Sequence, residues 1–121
     1  MKITRLFSDK NGESHFENIE IPLKSAGDIG SLSEIIPVSG LILRENPGDY
    51  FYDWHPTPRK QYIVMLEGML VVEVSDGEQR SFPPGEILLV EDLDGKGHKS
   101  WVPDGRPRKS LFISVGEENS I

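Results

Sequence analysis

Three histidines are the side chains of this sequence that are best suited to chemistry: His15, His55 and His98. A neutral imidazole binds transition metals, and it also exchanges protons near neutral pH. The chain has no cysteine, which excludes thiolate metal sites, iron–sulfur clusters and cysteine nucleophiles. Any reactive site must therefore be built from imidazole nitrogens and side-chain oxygens.

His55 begins a proline-rich segment with the sequence HPTPRKQ. A residue that precedes proline is pushed into extended geometry, so both His55 and Thr57 are predicted to be extended. Alternate positions of an extended segment share a face, which would put Arg59 and Gln61 beside them. Because its prolines cannot join a central ladder, the segment is predicted to form a rim or an edge. His55 then faces a pocket, or it is a surface histidine beside a loop.

The rest of the sequence predicts short strands joined by turns. Twelve glycines and nine prolines are spread through the chain, and roughly nine or ten strand candidates alternate with turn signals such as Asp76-Gly77. The stretch Tyr62–Leu66 is apolar at both alternating sets of positions. A strand of this kind is covered on both faces, either by another layer of the same chain or by another subunit. We therefore expect a homodimer.

Composition limits the function classes. A chain of 121 residues and 13.6 kDa predicts a single domain. Its formal charge of −7 argues against binding nucleic acid through phosphate neutralisation. No apolar run approaches the roughly 18 residues of a spanning helix, and no apolar leader follows the start. We expect a cytoplasmic protein that binds neither nucleic acid nor membranes.

Two motifs of this chain resemble those of the cupin superfamily. The first family motif runs from a Gly through His-x-His and a Glu to a second Gly; here Gly48, His55, Gln61 and Gly68 follow that order. In the second motif a Gly opens a strand that precedes a histidine, and His98 stands at that histidine position. The resemblance covers residues 48–98. It implies an all-β fold, the double-stranded β-helix or jelly-roll barrel.

The resemblance also implies a domain layout. One cupin domain would span residues 1–121, with the barrel core at about 35–115. The N-terminal strands, in residues 1–22, would pack on this barrel or on a partner subunit.

The same resemblance implies a metal site in which His55, Gln61 and His98 are the ligands. Thr57 replaces the second histidine of the first motif and Gln61 replaces its glutamate, so the set contains no negative charge. One weakly held divalent ion, chosen among Zn, Ni, Fe, Cu and Mn, is compatible with nitrogen and oxygen ligands. A metal-free pocket is the alternative. His15 could be a further ligand if its strand folds over the barrel.

Further residues are candidates for contact with a small organic ligand. Tyr52 and Trp54 precede His55, while Thr57 and Arg59 follow it, and Arg59 could hold a carboxylate. Aromatic residues at these positions could instead belong to the core or a dimer interface. The acidic loop before His98 contains Glu91, Asp92 and Asp94. If one of them points inward, it could orient an imidazole or act as a base; otherwise the loop is solvated.

The functional hypothesis is a small organic ligand bound in the barrel, with a metal as a Lewis acid where one is held. A metal-free ligand-binding or sensor module is the alternative. A metal-free enzyme that uses His55 or His98 as acid or base is a third hypothesis. Whether the protein is an enzyme stays open.

Overall fold

The structure is a computed structural model, and it describes residues 1–116. Residues 117–121, the end of the predicted domain, lie outside the described part. A single 3-10 turn, Gly27–Ile29, is the one helical element among the described residues. The strands are β1 Lys2–Ser8, β2 Ser14–Glu20, β3 Lys24–Ser25, β4 Ser31–Leu32, β5 Gly40–Asn46, β6 Phe51–His55, β7 Gln61–Glu67, β8 Leu70–Val74, β9 Gln79–Phe82, β10 Ile87–Val90, β11 His98–Trp101 and β12 Arg108–Ser114.

Two sheets carry most of these strands. A six-stranded sheet has the order β2-β1-β10-β7-β12-β5, and a four-stranded sheet has the order β6-β11-β8-β9. The short β3 and β4 pair only with each other. Strands that are distant in the chain are neighbours in both sheets, as in a jelly roll. The predicted all-β architecture is confirmed.

The core lies where the apolar faces of the two sheets meet. In strand β8 the alternate residues Leu70, Val72 and Val74 point the same way and are buried. They pack in one cluster with residues of the six-stranded sheet, including Leu6 and Met65. Leu6 belongs to β1, which pairs in parallel with β10 of the same chain. The N-terminal strands are therefore part of the barrel's own sheet.

The outer face of β7 is covered in part by the chain itself. Tyr62 and Val64 line an apolar groove together with Leu32, Ile36 and Val38 from the segment before β5. This segment is irregular up to Gly40, where β5 begins, and Pro37 within it cannot donate to a ladder. This irregular segment therefore covers part of one of the two apolar faces of β7.

Candidate functional site

A cavity of about 300 Å³ opens between the two sheets. Its walls combine apolar side chains of the core with polar side chains of the rim. The apolar wall includes Leu6, Ile63, Leu70, Val72, Leu88, Val90 and Phe112. The polar groups are Arg44, Tyr50, Tyr52, His55, Thr57, Gln61, His98, Ser100 and Arg108. A mostly apolar hollow with a few convergent polar groups is typical of a small-molecule site.

The sheet brings His55 and His98 together. His55 ends β6 and His98 begins β11, and the two residues are direct partners in the antiparallel register. Their ring centroids are 4.5 Å apart. Two imidazoles that are 43 positions apart in the sequence (98 − 55) therefore face one cavity, as the sequence predicted.

A β-bulge in β6 decides which aromatic residue joins them. The register moves from His98↔His55 to Ser100↔Tyr52, so three steps along β6 match two steps along β11. Tyr52 and His55 consequently share the cavity side, and their rings stack with centroids 3.6 Å apart. Trp54, predicted as a ligand contact, is turned away and lies near the Lys99 ammonium instead. Trp54 is adjacent to His55, and adjacent residues of a strand face opposite sides, so the predicted contact of Trp54 with a ligand in this cavity is wrong; the bulge instead brings Tyr52 to the side of His55.

Both cavity imidazoles are oriented through Nδ1. His55 Nδ1 donates to the Asp53 carbonyl at 2.6 Å, and His98 Nδ1 lies 2.6 Å from Asp92 Oδ2. When these rings are neutral with the proton on Nδ1, each Nε2 keeps a lone pair. Burial lowers the pKa of His55, and the neighbouring His98 lowers it further, although the Asp53 carbonyl acts in the opposite direction. The neutral, electron-donating form of His55 is therefore favoured.

Asp92 is an interior residue. It is 0 % exposed, so the solvated interpretation of the acidic loop is wrong for this residue, and the orienting role is the one its contact supports. The end of this loop passes close to the His55 backbone at Gly97, where φ is +72° and a side chain would collide with that backbone, so glycine is required there. The Asp92 carbonyl also accepts from the Thr57 N–H at 3.0 Å. Asp92 therefore joins the two histidine segments.

Thr57 and Gln61 line the cavity, but Arg59 does not. The Thr57 hydroxyl donates to the Arg59 carbonyl at 2.8 Å and closes a bend in the backbone. This bend breaks the extended alternation on which the prediction for Arg59 depended, and Arg59 lies outside the lining. Gln61 Nε2 donates to the Thr57 hydroxyl at 3.1 Å, while the buried Gln61 Oε1 has no partner within the described residues.

His15 lies in a different cluster, outside the cavity lining. Its Nε2 is 2.8 Å from Asp9 Oδ2, and its Nδ1 is 2.8 Å from Asp76 Oδ2. When each nitrogen of an imidazole lies beside a carboxylate, the doubly protonated ring is stabilised, because it can donate a hydrogen bond to both carboxylates. The hydrogen bond with Asp9, followed by the one with Asp76, raises the pKa of His15. The structure gives no support to His15 as a ligand in the cavity.

Sequence reasoning missed Arg108, the largest side chain buried below 2 % exposure in residues 1–116. It begins β12 and shares its face with Phe112, whose ring lines the cavity. Alternation from Phe112 back to Arg108 was the available signal, but the apolar residues Leu111 and Ile113 on the other face concealed it. Arg44 and Ser100, which also line the cavity, were not assigned to the site either.

The donors offer a divalent metal only a weak set of ligands. In the part of the chain that the structure describes, no group of three or more His, Cys, Asp or Glu residues is arranged so that it could hold a metal ion. The buried, unpartnered Gln61 Oε1 and the two Nε2 lone pairs are neutral donors. They match the predicted set of His55, Gln61 and His98, without a compensating negative charge among them.

Comparison with known proteins rests on structure, since no family model matches the chain and no curated protein is similar in sequence. An RmlC-like cupin family protein with a double-stranded β-helix fold, from Methanocaldococcus jannaschii, is 11% identical with a TM-score of 0.52, over 84% of this chain and 95% of its own. This chain has the cupin fold. Two further solved structures are similar with comparable TM-scores. A protein described as a candidate ethanolamine utilization protein Q, from Salmonella typhimurium, is 12% identical with a TM-score of 0.51 over 95% of both chains. Protein NMB1881 from Neisseria meningitidis is 21% identical with a TM-score of 0.50, over 63% of this chain and 72% of its own.

Within residues 1–116, no helix is long and apolar enough to cross a membrane.

Proposed function

We propose that this cupin-fold protein binds a small organic molecule in the cavity between its sheets. The observation that carries the proposal is the convergence of His55 and His98 in a largely apolar cavity of about 300 Å³. That volume is at the lower end of the range typical of small-molecule pockets. The apolar wall would accommodate a hydrocarbon part, while the imidazoles, Ser100 and Gln61 would orient polar atoms.

A metal-assisted version is the second candidate, favoured by the Nδ1 hydrogen bonds of the two histidines. These bonds leave both Nε2 atoms able to coordinate, and Asp92 would support His98 as a carboxylate supports a metal-bound imidazole. His55, His98 and Gln61 would hold the ion. A divalent ion supplies a Lewis acid that polarises a ligand oxygen. Elemental analysis of untagged protein after Zn, Ni, Fe, Cu or Mn is added back tests this version, and less than roughly a tenth of an equivalent contradicts it.

Thermal-shift measurements across small acids and sugars test the cavity. Ligands that raise the melting temperature of the wild-type protein should also raise that of H15A, because His15 lies outside the lining. H55A and H98A should lose the shift for the same ligands. If both cavity variants keep every shift seen in the wild type, the cavity is not the binding site. Calorimetric titration of H55A provides the same comparison independently of stability.

We further propose that the protein is a homodimer. Strand β5 is a sheet edge that carries exposed Leu41 and Leu43, with Leu43 76% exposed. Exposed Ile35 and Ile29 lie in the segment before β5. An open edge flanked by apolar side chains favours pairing with another chain, and two copies of β5 would form a self-complementary contact.

Light scattering tests the dimer. At tens of micromolar the wild type should have twice the chain mass of 13.6 kDa. The L43K variant should approach the mass of one chain, and L93K, which changes an exposed leucine outside β5, should keep the dimer mass. A wild-type mass of 13.6 kDa contradicts the proposal.

A further inference from the structure

The charge of the cavity lining is opposite to that of the chain. Arg44 and Arg108 contribute two guanidinium groups, and no Asp or Glu from residues 1–116 lines the cavity. The chain as a whole carries a formal charge of −7. A small cavity with low-polarity walls concentrates the field of its own charges. The lining therefore favours an anion in a protein that is otherwise acidic.

Arg108 has few contacts that compensate its charge. It is 1% exposed, and its one oxygen partner in the described structure is the neutral Asn46 side chain, at 2.6 Å from Nη2. Nη1 reaches only the Met65 sulfur at 4.0 Å, and Nε has no partner among the described residues. The Tyr50 ring lies 5.2 Å from the guanidinium carbon. Burial lowers the pKa of Arg108, and the nearby Arg44 lowers it further, although Tyr50 acts in the opposite direction.

Two arginines outside the cavity are more exposed than Arg108 and, unlike Arg108, are paired with carboxylates. Arg5 is bound to the carboxylates of Glu17 and Glu91, and Arg80 is bound to that of Glu78. These cations are partly exposed, where water already compensates charge. The more deeply buried cation lacks a carboxylate partner within residues 1–116, although a buried charge is the one that most needs it.

We propose that the ligand of this cavity is a small organic acid whose carboxylate binds to Arg108. This inference rests on the proposed function and names the class of ligand. The Nε and Nη1 hydrogens are available for charge-assisted hydrogen bonds, which a carboxylate oxygen accepts. Arg44, stacked over Phe112 at 3.8 Å, adds a second positive charge to the lining. The apolar wall takes the body of the acid, and His55 and His98 contact the rest of it.

Paired probes test the ligand class. Butyrate and benzoate are titrated at constant ionic strength and compared with butyramide and benzamide, and the Arg108 Nε–H resonance is followed by NMR. We expect saturable binding of at least one carboxylate, with its amide at least tenfold weaker. R108M should weaken the carboxylate at least tenfold, and R5M, which removes an arginine outside the cavity, should leave it unchanged.

R108M is expected to fold, because replacing a buried cation that has no carboxylate partner by an apolar side chain is often neutral or stabilising. A urea midpoint at or above that of the wild type supports the inference, and a large fall contradicts it.

The failure of this inference is distinct from failure of the proposed function. If amides bind as tightly as carboxylates, or R108M binds carboxylates like the wild type, the acid assignment is wrong. In that case the proposed function, binding in the cavity, is still supported if H55A abolishes the binding. If inorganic phosphate or chloride competes at the affinity of the organic acids, the site takes any anion and the assignment is also wrong. If H55A and R108M both leave every interaction unchanged, both proposals are wrong.

Discussion

His15 and His55 are the same side chain in opposite environments. His15 lies between the carboxylates of Asp9 and Asp76, and its pKa is raised chiefly by its hydrogen bond with Asp9. His55 lies against His98 in a partly apolar cavity, and burial lowers its pKa. The first cluster links the β1–β2 turn region to the β8–β9 turn, whereas the second lines the cavity. The direction of the pKa shift follows from the neighbours, and it distinguishes the histidine of an ion-pair cluster from the histidine of the cavity.

The largest expected effect comes from breaking the buried contact of the cavity pair. H98L leaves the fully buried Asp92 carboxyl without its imidazole partner, and the free energy of unfolding should fall by about 3 kcal/mol. H55L removes a hydrogen bond to a backbone carbonyl from a half-buried ring, so its loss should be about 1 kcal/mol. Urea denaturation measures both. Equal losses of unfolding free energy for H98L and H55L would show that the buried Asp92 carboxyl is not stabilised by its contact with His98.

A smaller effect is expected where the two regions are connected. The Ser14 hydroxyl donates to the Gly97 carbonyl at 2.6 Å, and it accepts from the Ser75 N–H at 2.7 Å. S14A should lower the free energy of unfolding by about 1 kcal/mol, because buried polar groups lose their partner. S8A is the control, since the Ser8 hydroxyl makes one exposed bond to the Asp94 carbonyl, and its loss should be about 0.5 kcal/mol. A loss for S14A no greater than that for S8A would contradict the connection.

The smallest effect is a pH dependence with opposite signs at the two histidines. The folded pKa of His15 is raised above 6.5, so its contribution to stability is fully present below 6.5 and is lost as the pH rises through the folded value. The folded pKa of His55 is lowered below 6.5, so its contribution is present above 6.5 and is lost as the pH falls through the folded value. Urea midpoints measured from pH 5 to 9 should show both slopes.

Variants separate the two slopes. H15Q should remove the decline on the alkaline side, and H55L should remove the decline on the acid side. NMR titration should give a midpoint above 6.5 for His15 and below 6.5 for His55. The reverse order of midpoints would contradict the comparison between the two environments.

The sequence predicted most of the fold because turns and alternation are local signals. Asp76-Gly77 lies at the predicted turn between β8 and β9, where the Gly77 N–H donates to the Val74 carbonyl at 3.0 Å. The convergence of His55 and His98 followed from the motif resemblance, because no local pattern relates two residues in separate hairpins.

The residues that were wrongly placed in the predicted site, or left out of it, have physical explanations, and most of these lie in tertiary contacts that a local sequence pattern does not show. Trp54 was wrongly expected beside His55, because adjacent residues of a strand face opposite sides and the bulge that depends on pairing with β11 brings Tyr52 there instead. Arg59 was misplaced by a bend that a Thr57 hydrogen bond closes. The sequence did not show which residue of the acidic loop is buried, since the burial of Asp92 depends on where His98 lies. Arg108 was missed because burial of a cation depends on tertiary packing, and because the apolar Leu111 and Ile113 on the other face of β12 concealed its alternation with Phe112.

The parallel pairing of β1 with β10 has a consequence for synthesis. Leu6 of β1 is matched with Val90 of β10, so β1 waits for a strand made more than 80 residues later. The emerging chain carries an unpaired edge of β1 until β10 leaves the ribosome, and pairing over such a separation is slow. The six-stranded sheet therefore closes only after β10 has been made, and we expect that a chaperone that shields the β1 edge raises the yield of correctly folded chains.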